Sequence, residues 1–161
     1  MTVTIGINDT PWNRATTLCH VAPQYPFIKW MHITAKCTAN VTHEYSSSLA
    51  RVLHNVTTLH QGKRRLLLRL TTVYNAVLGD QVDPSWNSPK AVAPAIQANN
   101  AFAQAQCALA ARYGGRCADM LHSMNGPGAR GDAARYPASD HTHLNQRGHQ
   151  LTAHVLDRLG I

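Results

Sequence analysis

The stretch that constrains the fold most is Leu66-Leu67-Leu68-Arg69-Leu70-Thr71-Thr72-Val73-Tyr74. A run of this length that is apolar or β-branched almost throughout is typical of a strand buried on both faces, as in a parallel sheet. Before this run, five apolar residues recur at helical spacing, namely Leu49, Val52, Leu53, Val56 and Leu59. Gly62 follows them at a position where a helix would end. After it, the Ala- and Gln-rich residues 93–113 predict a second helix, with Pro94 in its first turn.

Further outward, the alternation of strand and helix continues in both directions. Residues 2–5 predict a short buried strand, and residues 116–121 predict a third strand. Residues 10–40 lack clear periodicity and are expected to form a long, partly helical loop region. Residues 122–143 are expected to form a long loop, and Asn145 is a suitable N-cap for a last helix. This order predicts one α/β domain spanning all 161 residues, with three α/β/α layers and a mostly parallel sheet. In such sheets, ligands bind at the carboxyl ends of the strands.

Composition and charge exclude several classes of protein. Hydrophobic residues make up 44% of the chain and charged residues 14%, as in a globular protein. No apolar run approaches the ~20 residues of a membrane-spanning helix, and Met1 is followed directly by the strand-like Thr2-Val3-Thr4-Ile5 rather than by a secretory signal. The net charge is +7, but the basic residues are scattered and cluster only at Lys63-Arg64-Arg65. We therefore expect no nucleic-acid partner.

Two short segments next to the ends of predicted elements contain residue types that are common in active sites. Gly6-Ile7-Asn8-Asp9 follows the first strand, and Asp140-His141-Thr142-His143 precedes the last helix. An Asp and a His three residues apart on a turn can place the carboxylate against Nδ1 and leave Nε2 facing a substrate, as acyl transfer requires. An Asn side chain is a suitable hydrogen-bond donor to an oxyanion.

Three alternatives remain open for these segments. Asn8 and Asp9 could form a turn and a helix cap, and Asp140 could bond the local backbone. His141, His143 and His149 could bind a metal, because His-x-His is a common ligand spacing. No Cys or Glu completes such a set, so we expect neither a metal nor a cofactor.

Together, these two motifs resemble the third and fifth conserved blocks of the SGNH (GDSL-type) ester hydrolases. Residues 70–75, Met124-Asn125-Gly126-Pro127 and Asn145-Gln146-Arg147-Gly148-His149 are similar to segments of secreted actinobacterial members. The resemblance covers nearly the whole chain in the right order. It implies the flavodoxin-like SGNH fold and an esterase or lipase acting by serine acyl transfer on a small-molecule, lipid or carbohydrate ester.

The resemblance also implies a role for individual residues and a location. His143 becomes the general base, Asp140 orients it, and Asn8 becomes the oxyanion donor. The full-length protein is then expected to be secreted or extracytoplasmic. The four cysteines form two local pairs, Cys19 with Cys37 and Cys107 with Cys117, without a C-x-x-C motif. Two disulfides in an oxidising compartment fit this pattern and the resemblance, although four reduced thiols remain an alternative.

The chain departs from the family at the nucleophile. It contains no Gly-Asp-Ser, because Gly79-Asp80-Gln81 and Gly131-Asp132-Ala133 lack the serine, and Ser46-Ser47-Ser48 lie where a surface helix is predicted to start. We therefore expect an N-terminally truncated domain that lacks its first strand–helix unit. Its bare sheet edge near residues 2–5 would favour self-association. The alternative function is a non-catalytic α/β domain that binds a lipid, a sugar ester or a protein partner.

Overall fold

The structure, a computed structural model, describes residues 2–4, 33–60, 66–76, 78, 89–140 and 143–160. Over these residues the chain alternates between strand and helix, which confirms a mixed α/β protein. The elements in chain order are β1 (Thr2–Thr4), α1 (Ala35–Leu59), β2 (Arg69–Thr71), α2 (Pro89–Arg112), β3 (Arg116–Ala118), α3 (Met120–Asn125), a short 3₁₀ helix (Pro127–Ala129) and α4 (Gln146–Arg158).

The described strands form one parallel sheet in the order β1-β2-β3, so the predicted parallel pairing is confirmed. The register aligns Val3 with Leu70 and Leu70 with Cys117. β2 and β3 are each only three residues long, which is shorter than predicted, and the described part of β1 is Thr2–Thr4. The expectation of a buried first strand is wrong, because Thr2 and Thr4 are exposed and only Val3 is partly buried. In the described part of the sheet, β1 is an edge strand.

Helices pack on both faces of this sheet. Side chains alternate along a strand, so the in-register residues Val3, Leu70 and Cys117 point to one face. That face is covered by apolar residues of α1 and α2, which are Tyr45, Leu49, Leu53, Leu109 and Ala110. Ala118, the next residue of β3, points to the opposite face and packs in a cluster with Val155 of α4.

Helix α1 begins before the position that the sequence predicted. Residues 35–40 are helical and belong to the loop region 10–40, which was expected to be partly helical. Thr34 caps the helix because its Oγ1 accepts from the Cys37 amide at 3.1 Å. The physical reason is an uninterrupted buried stripe at intervals of four residues, formed by Cys37, Val41, Tyr45, Leu49 and Leu53. The rest of that expected loop, up to residue 32, lies outside the described residues.

The region after β3 also differs from the prediction of a strand over residues 116–121. β3 ends at Ala118, and Asp119 caps α3 by accepting a hydrogen bond from the His122 amide at 3.1 Å. Met120 and Leu121 are therefore buried on a helix, not on a strand. Helix α2 starts four residues before the predicted 93–113 segment, so Pro94 lies inside the helix and not in its first turn.

A disulfide joins α2 to β3 through Cys107 and Cys117, with 5.0 Å between their Cα atoms, which confirms that predicted pair. Cys37 is also disulfide-bonded. Cys19 lies outside the described residues, so the Cys19–Cys37 pair stays a prediction. Across the described ranges, no helix combines the length and the apolar character needed to span a bilayer.

Candidate active site at the carboxyl edge of the sheet

The segments that follow β2 and β3 are tied together where the two strands end. The Thr72 amide donates to the Ala118 carbonyl at 3.0 Å. The Thr72 hydroxyl accepts from the Leu121 amide at 2.9 Å and donates to Oδ1 of Asp119 at 3.3 Å. These contacts fix two chain segments at the edge of the sheet where parallel α/β folds bind their ligands.

Asn125 extends this network towards α4. Its side chain is fully buried, and Oδ1 accepts from the Asn75 amide at 2.8 Å. Its Nδ2 donates to the carbonyl of Asn75 at 3.0 Å and to the carbonyl of Gly131 at 2.9 Å. One buried amide therefore joins the segment after β2 to the connection that leads to α4.

The predicted contact between Asp140 and His143 is present. Nδ1 of His143 lies 2.6 Å from Oδ2 of Asp140, and the His143 backbone amide donates to Oδ1 of the same carboxylate at 2.9 Å. The two oxygens of Asp140 thus fulfil both the local backbone bond, which the sequence left open as an alternative, and the contact that orients the imidazole. The catalytic role of this pair stays a prediction.

The contact at Nδ1 determines what the other nitrogen of His143 can do. A carboxylate accepts only, so Nδ1 carries the proton and Nε2 of the neutral ring is an acceptor. The His143 side chain is 82% exposed and Asp140 is 51% exposed. Within the described residues, no side chain or backbone group bonds Nε2 of His143. In the described part of the chain, the exposed His143 ring therefore has a fixed orientation and an Nε2 that no protein group contacts by a hydrogen bond.

Electrostatics connects this loop to the carboxyl edge of the sheet. Tyr74 follows β2 and packs against a cluster that contains Tyr136 and Val155. Burial of its ring, and secondly the negative charge of Asp140, raise the pKa of Tyr74 to about 12. The Asp140 charge therefore influences the ionisation of a phenol that lies three residues after the central strand of the described sheet.

A second pair, Asp119 and His122, repeats the same local geometry, and sequence reasoning missed it. Nδ1 of His122 lies 2.6 Å from Oδ2 of Asp119, and the His122 amide donates to Oδ1 at 3.1 Å. Here, however, Nε2 lies 3.1 Å from Oδ1 of Asn100. Nδ2 of Asn100 donates to the Ile96 carbonyl at 2.8 Å and the Gly128 carbonyl at 3.2 Å, which turns Oδ1 towards His122. Both ring nitrogens of His122 are thus engaged, so His122 links α2 to α3 and is not available as a base.

The remaining predicted site residues divide by position. Asn8 and His141 lie outside the described residues, so the oxyanion donor stays a prediction. Ser46, Ser47 and Ser48 lie in the middle of α1, not at its start. Of the serines in the described part of the chain, none bonds His143. No group of three or more His, Cys, Asp or Glu in these ranges could hold a metal ion.

No protein-family model matches the chain, and no curated protein or solved structure matches it significantly. The resemblance to SGNH hydrolases therefore stays an expectation from the sequence motifs.

Proposed function

We propose that this chain supplies the acid–base half of a serine ester hydrolase with an SGNH-like fold. The observation that carries the proposal is the difference between the two Asp-x-x-His pairs. Both hold Nδ1 of the imidazole at 2.6 Å from a carboxylate, but only the pair formed by Asp140 and His143 leaves Nε2 unoccupied among the described residues. Burial, and secondly the charge of Asp140, raise the pKa of Tyr74, which follows the central strand of the described sheet. The carboxyl ends of the strands are the usual location of ligand sites in α/β sheets.

In the proposed reaction, Nε2 of His143 takes the proton of a serine hydroxyl as that oxygen attacks the ester carbonyl carbon. The imidazolium then protonates the leaving alcohol, and a water molecule repeats the sequence to release the acid. Asp140 holds the reactive tautomer and stabilises the imidazolium. Asn8, by resemblance to the family, donates to the oxyanion of the tetrahedral intermediate.

The 161 residues contain no Gly-Asp-Ser, the motif in which the family carries its nucleophilic serine. The proposal therefore requires a serine from polypeptide outside this sequence. The substrate class is an ester of a small molecule, a lipid or a carbohydrate. The disulfide between Cys107 and Cys117 supports a location of the protein in an oxidising compartment, since such bonds rarely persist in the cytosol.

The test compares the chain alone with the chain joined to an N-terminal segment that carries a Gly-Asp-Ser block. We expect no fluorophosphonate labelling and negligible p-nitrophenyl ester turnover for the chain alone, and both activities for the joined protein. His143→Ala in the joined protein should lower kcat by about 10⁴-fold or more. His122→Ala is the matched control, because His122 has the same Asp-x-x-His geometry with its Nε2 engaged, and it should retain turnover.

Two results would overturn this assignment. Stoichiometric labelling of the chain alone would show that one of its own serines attacks. Loss of turnover in His122→Ala but not in His143→Ala would exchange the roles of the two pairs. A joined protein that folds but neither labels nor turns over would favour the alternative, a non-catalytic domain that binds a lipid, a sugar ester or a protein partner.

A further inference from the structure

The side chain of Asn145 is shared between α4 and the loop that carries Asp140 and His143. Its Oδ1 accepts from the Gly148 amide at 3.0 Å and so caps α4. Its Nδ2 donates to the carbonyl of Arg135 at 2.9 Å and to the carbonyl of Pro137 at 2.9 Å. An acceptor and two donors on one short side chain are found only in Asn among residues of this length, so no other residue can make all three bonds.

The backbone around Asn145 closes the same loop. Its amide donates to the Tyr136 carbonyl at 2.7 Å, and the Ala138 amide donates to the His143 carbonyl at 2.7 Å. Pro137 and Leu144 form an antiparallel bridge between these contacts. The short stretch that includes Asp140 and His143 is therefore anchored at both of its ends.

His143 depends on this anchoring more than most side chains would. At 82% exposure it has little packing to fix its position, and in the described residues its imidazole is held only through Asp140. Asp140 in turn belongs to the same loop. The orientation of Nε2 is thus determined by where the two ends of the loop are fixed.

We infer that Asn145 is a positioning residue, whose two amide N–H groups hold the loop so that His143 keeps its contact with Asp140. This inference deepens the proposed function and rests on it for its purpose, although the contact itself can be measured without turnover. Asn145 acts through the loop and does not touch the substrate. Its bond to the Gly148 amide is a separate task, since that bond begins the helix.

Two substitutions separate these tasks. Asn145→Ser keeps a side-chain oxygen for the Gly148 amide but removes the Nδ2 group that donates to the carbonyls of Arg135 and Pro137, whereas Asn145→Ala removes all three bonds. Thr34→Ala is the matched control, because it removes a comparable cap from α1, far from the loop in sequence. The readout is the tautomer of each imidazole from its ¹⁵N NMR shifts, with His122 as an internal reference.

In the wild type we expect His143 to give the Nδ1-protonated pattern. Asn145→Ser should keep the α4 helix, by backbone chemical shifts, while His143 moves towards the tautomer mixture of a free imidazole. The signals of His122 should not change in either Asn145 variant, and Thr34→Ala should leave both histidines as in the wild type. In the joined esterase, Asn145→Ser should lower kcat by about 10²-fold at nearly constant KM, the typical effect of a misplaced catalytic group.

The inference fails if Asn145→Ser leaves the His143 tautomer unchanged, because Asn145 would then be a helix cap only. It also fails if Thr34→Ala shifts His143 as much, because the cause would then be general destabilisation. Should Asn145→Ala unfold, Asn145→Ser still decides the question, since it retains the cap. A shifted tautomer in a joined protein that never labels would refute the esterase proposal and leave the positioning role intact.

Discussion

Replacing Asn125 by Ala should destabilise the protein more than any other single polar substitution that we consider. The fully buried amide makes three bonds at 2.8, 3.0 and 2.9 Å, and its loss removes the partner of the Asn75 amide and of the carbonyls of Asn75 and Gly131. A buried polar group that loses its partner costs about 1–3 kcal/mol. The carbonyls retain a second lone pair and the Gly131 bond is only partly buried, so we expect about 3–5 kcal/mol in total from the same principle.

Urea denaturation followed by circular dichroism measures this loss as a lower midpoint with an unchanged slope. At about 2–4 °C per kcal/mol for a protein of this size, the melting temperature should fall by roughly 6–20 °C. Asn55→Ala is the matched control, because Asn55 is exposed on α1. It should change the free energy of unfolding by no more than about 0.5 kcal/mol.

A loss below about 1 kcal/mol for Asn125→Ala, within the range of a single replaceable hydrogen bond, would refute this reasoning. It would mean that the segments after β2 and β3 are held by other contacts and that the Asn75–Asn125 bonds are incidental. A loss of the expected size that also broadens the transition would instead show that the carboxyl edge unfolds as a separate unit.

The remaining predictions concern the disulfide, a close approach and a tyrosine. Replacing both Cys107 and Cys117 by Ser should lower the free energy of unfolding by up to about 3 kcal/mol, because the bridge no longer limits the entropy of the 10-residue loop in the unfolded chain. Equal urea midpoints for the oxidised protein and the double variant would contradict this. Gly148→Ala should cost about 1–3 kcal/mol by overpacking, since its Cβ would lie 2.9 Å from the Tyr136 carbonyl oxygen; a wild-type melting temperature would show that the helix can shift freely. The pKa of Tyr74 is raised to about 12 from the usual 10.0, so the folded state binds the phenol proton more tightly than the unfolded state does. The protonated phenol therefore contributes to stability fully below pH 10, and this contribution is lost as the pH rises towards 12. Titration at 295 nm should show the wild type minus Tyr74→Phe difference rising near pH 12, and a difference centred near pH 10 would contradict the structure.

Hydrophobic patterning predicted the larger elements because each buries a row of side chains that can be recognised locally. The run around Leu70 is an example, since its residues alternate between two covered faces of the sheet. Patterning failed where a short apolar pair is followed by a polar residue. Met120 and Leu121 fit a strand or a helix equally well, and it is the cap formed by Asp119 with the His122 amide that makes them helical.

The candidate site shows a different limit. The contact between Asp140 and His143 is local, so the spacing of the two residues in the sequence was enough to predict it. The same spacing occurs in Asp119 and His122, and spacing alone does not distinguish the two pairs. Only the packing of α2, which brings Asn100 to within 3.1 Å of the His122 ring, determines which imidazole is left open.

The disulfide between α2 and β3 has a consequence for a chain pulled by its two ends. Cys107 and Cys117 are 10 positions apart in sequence, and their Cα atoms are held at 5.0 Å. An extended segment of that length would span roughly 33–36 Å. Under tension, the protein with this bridge closed should therefore reach full extension about 30 Å short of a Cys107→Ser, Cys117→Ser variant, because the bridge bypasses the turn at Gly114 and its neighbours. The hidden length gives a single-molecule measure of whether this bond is closed.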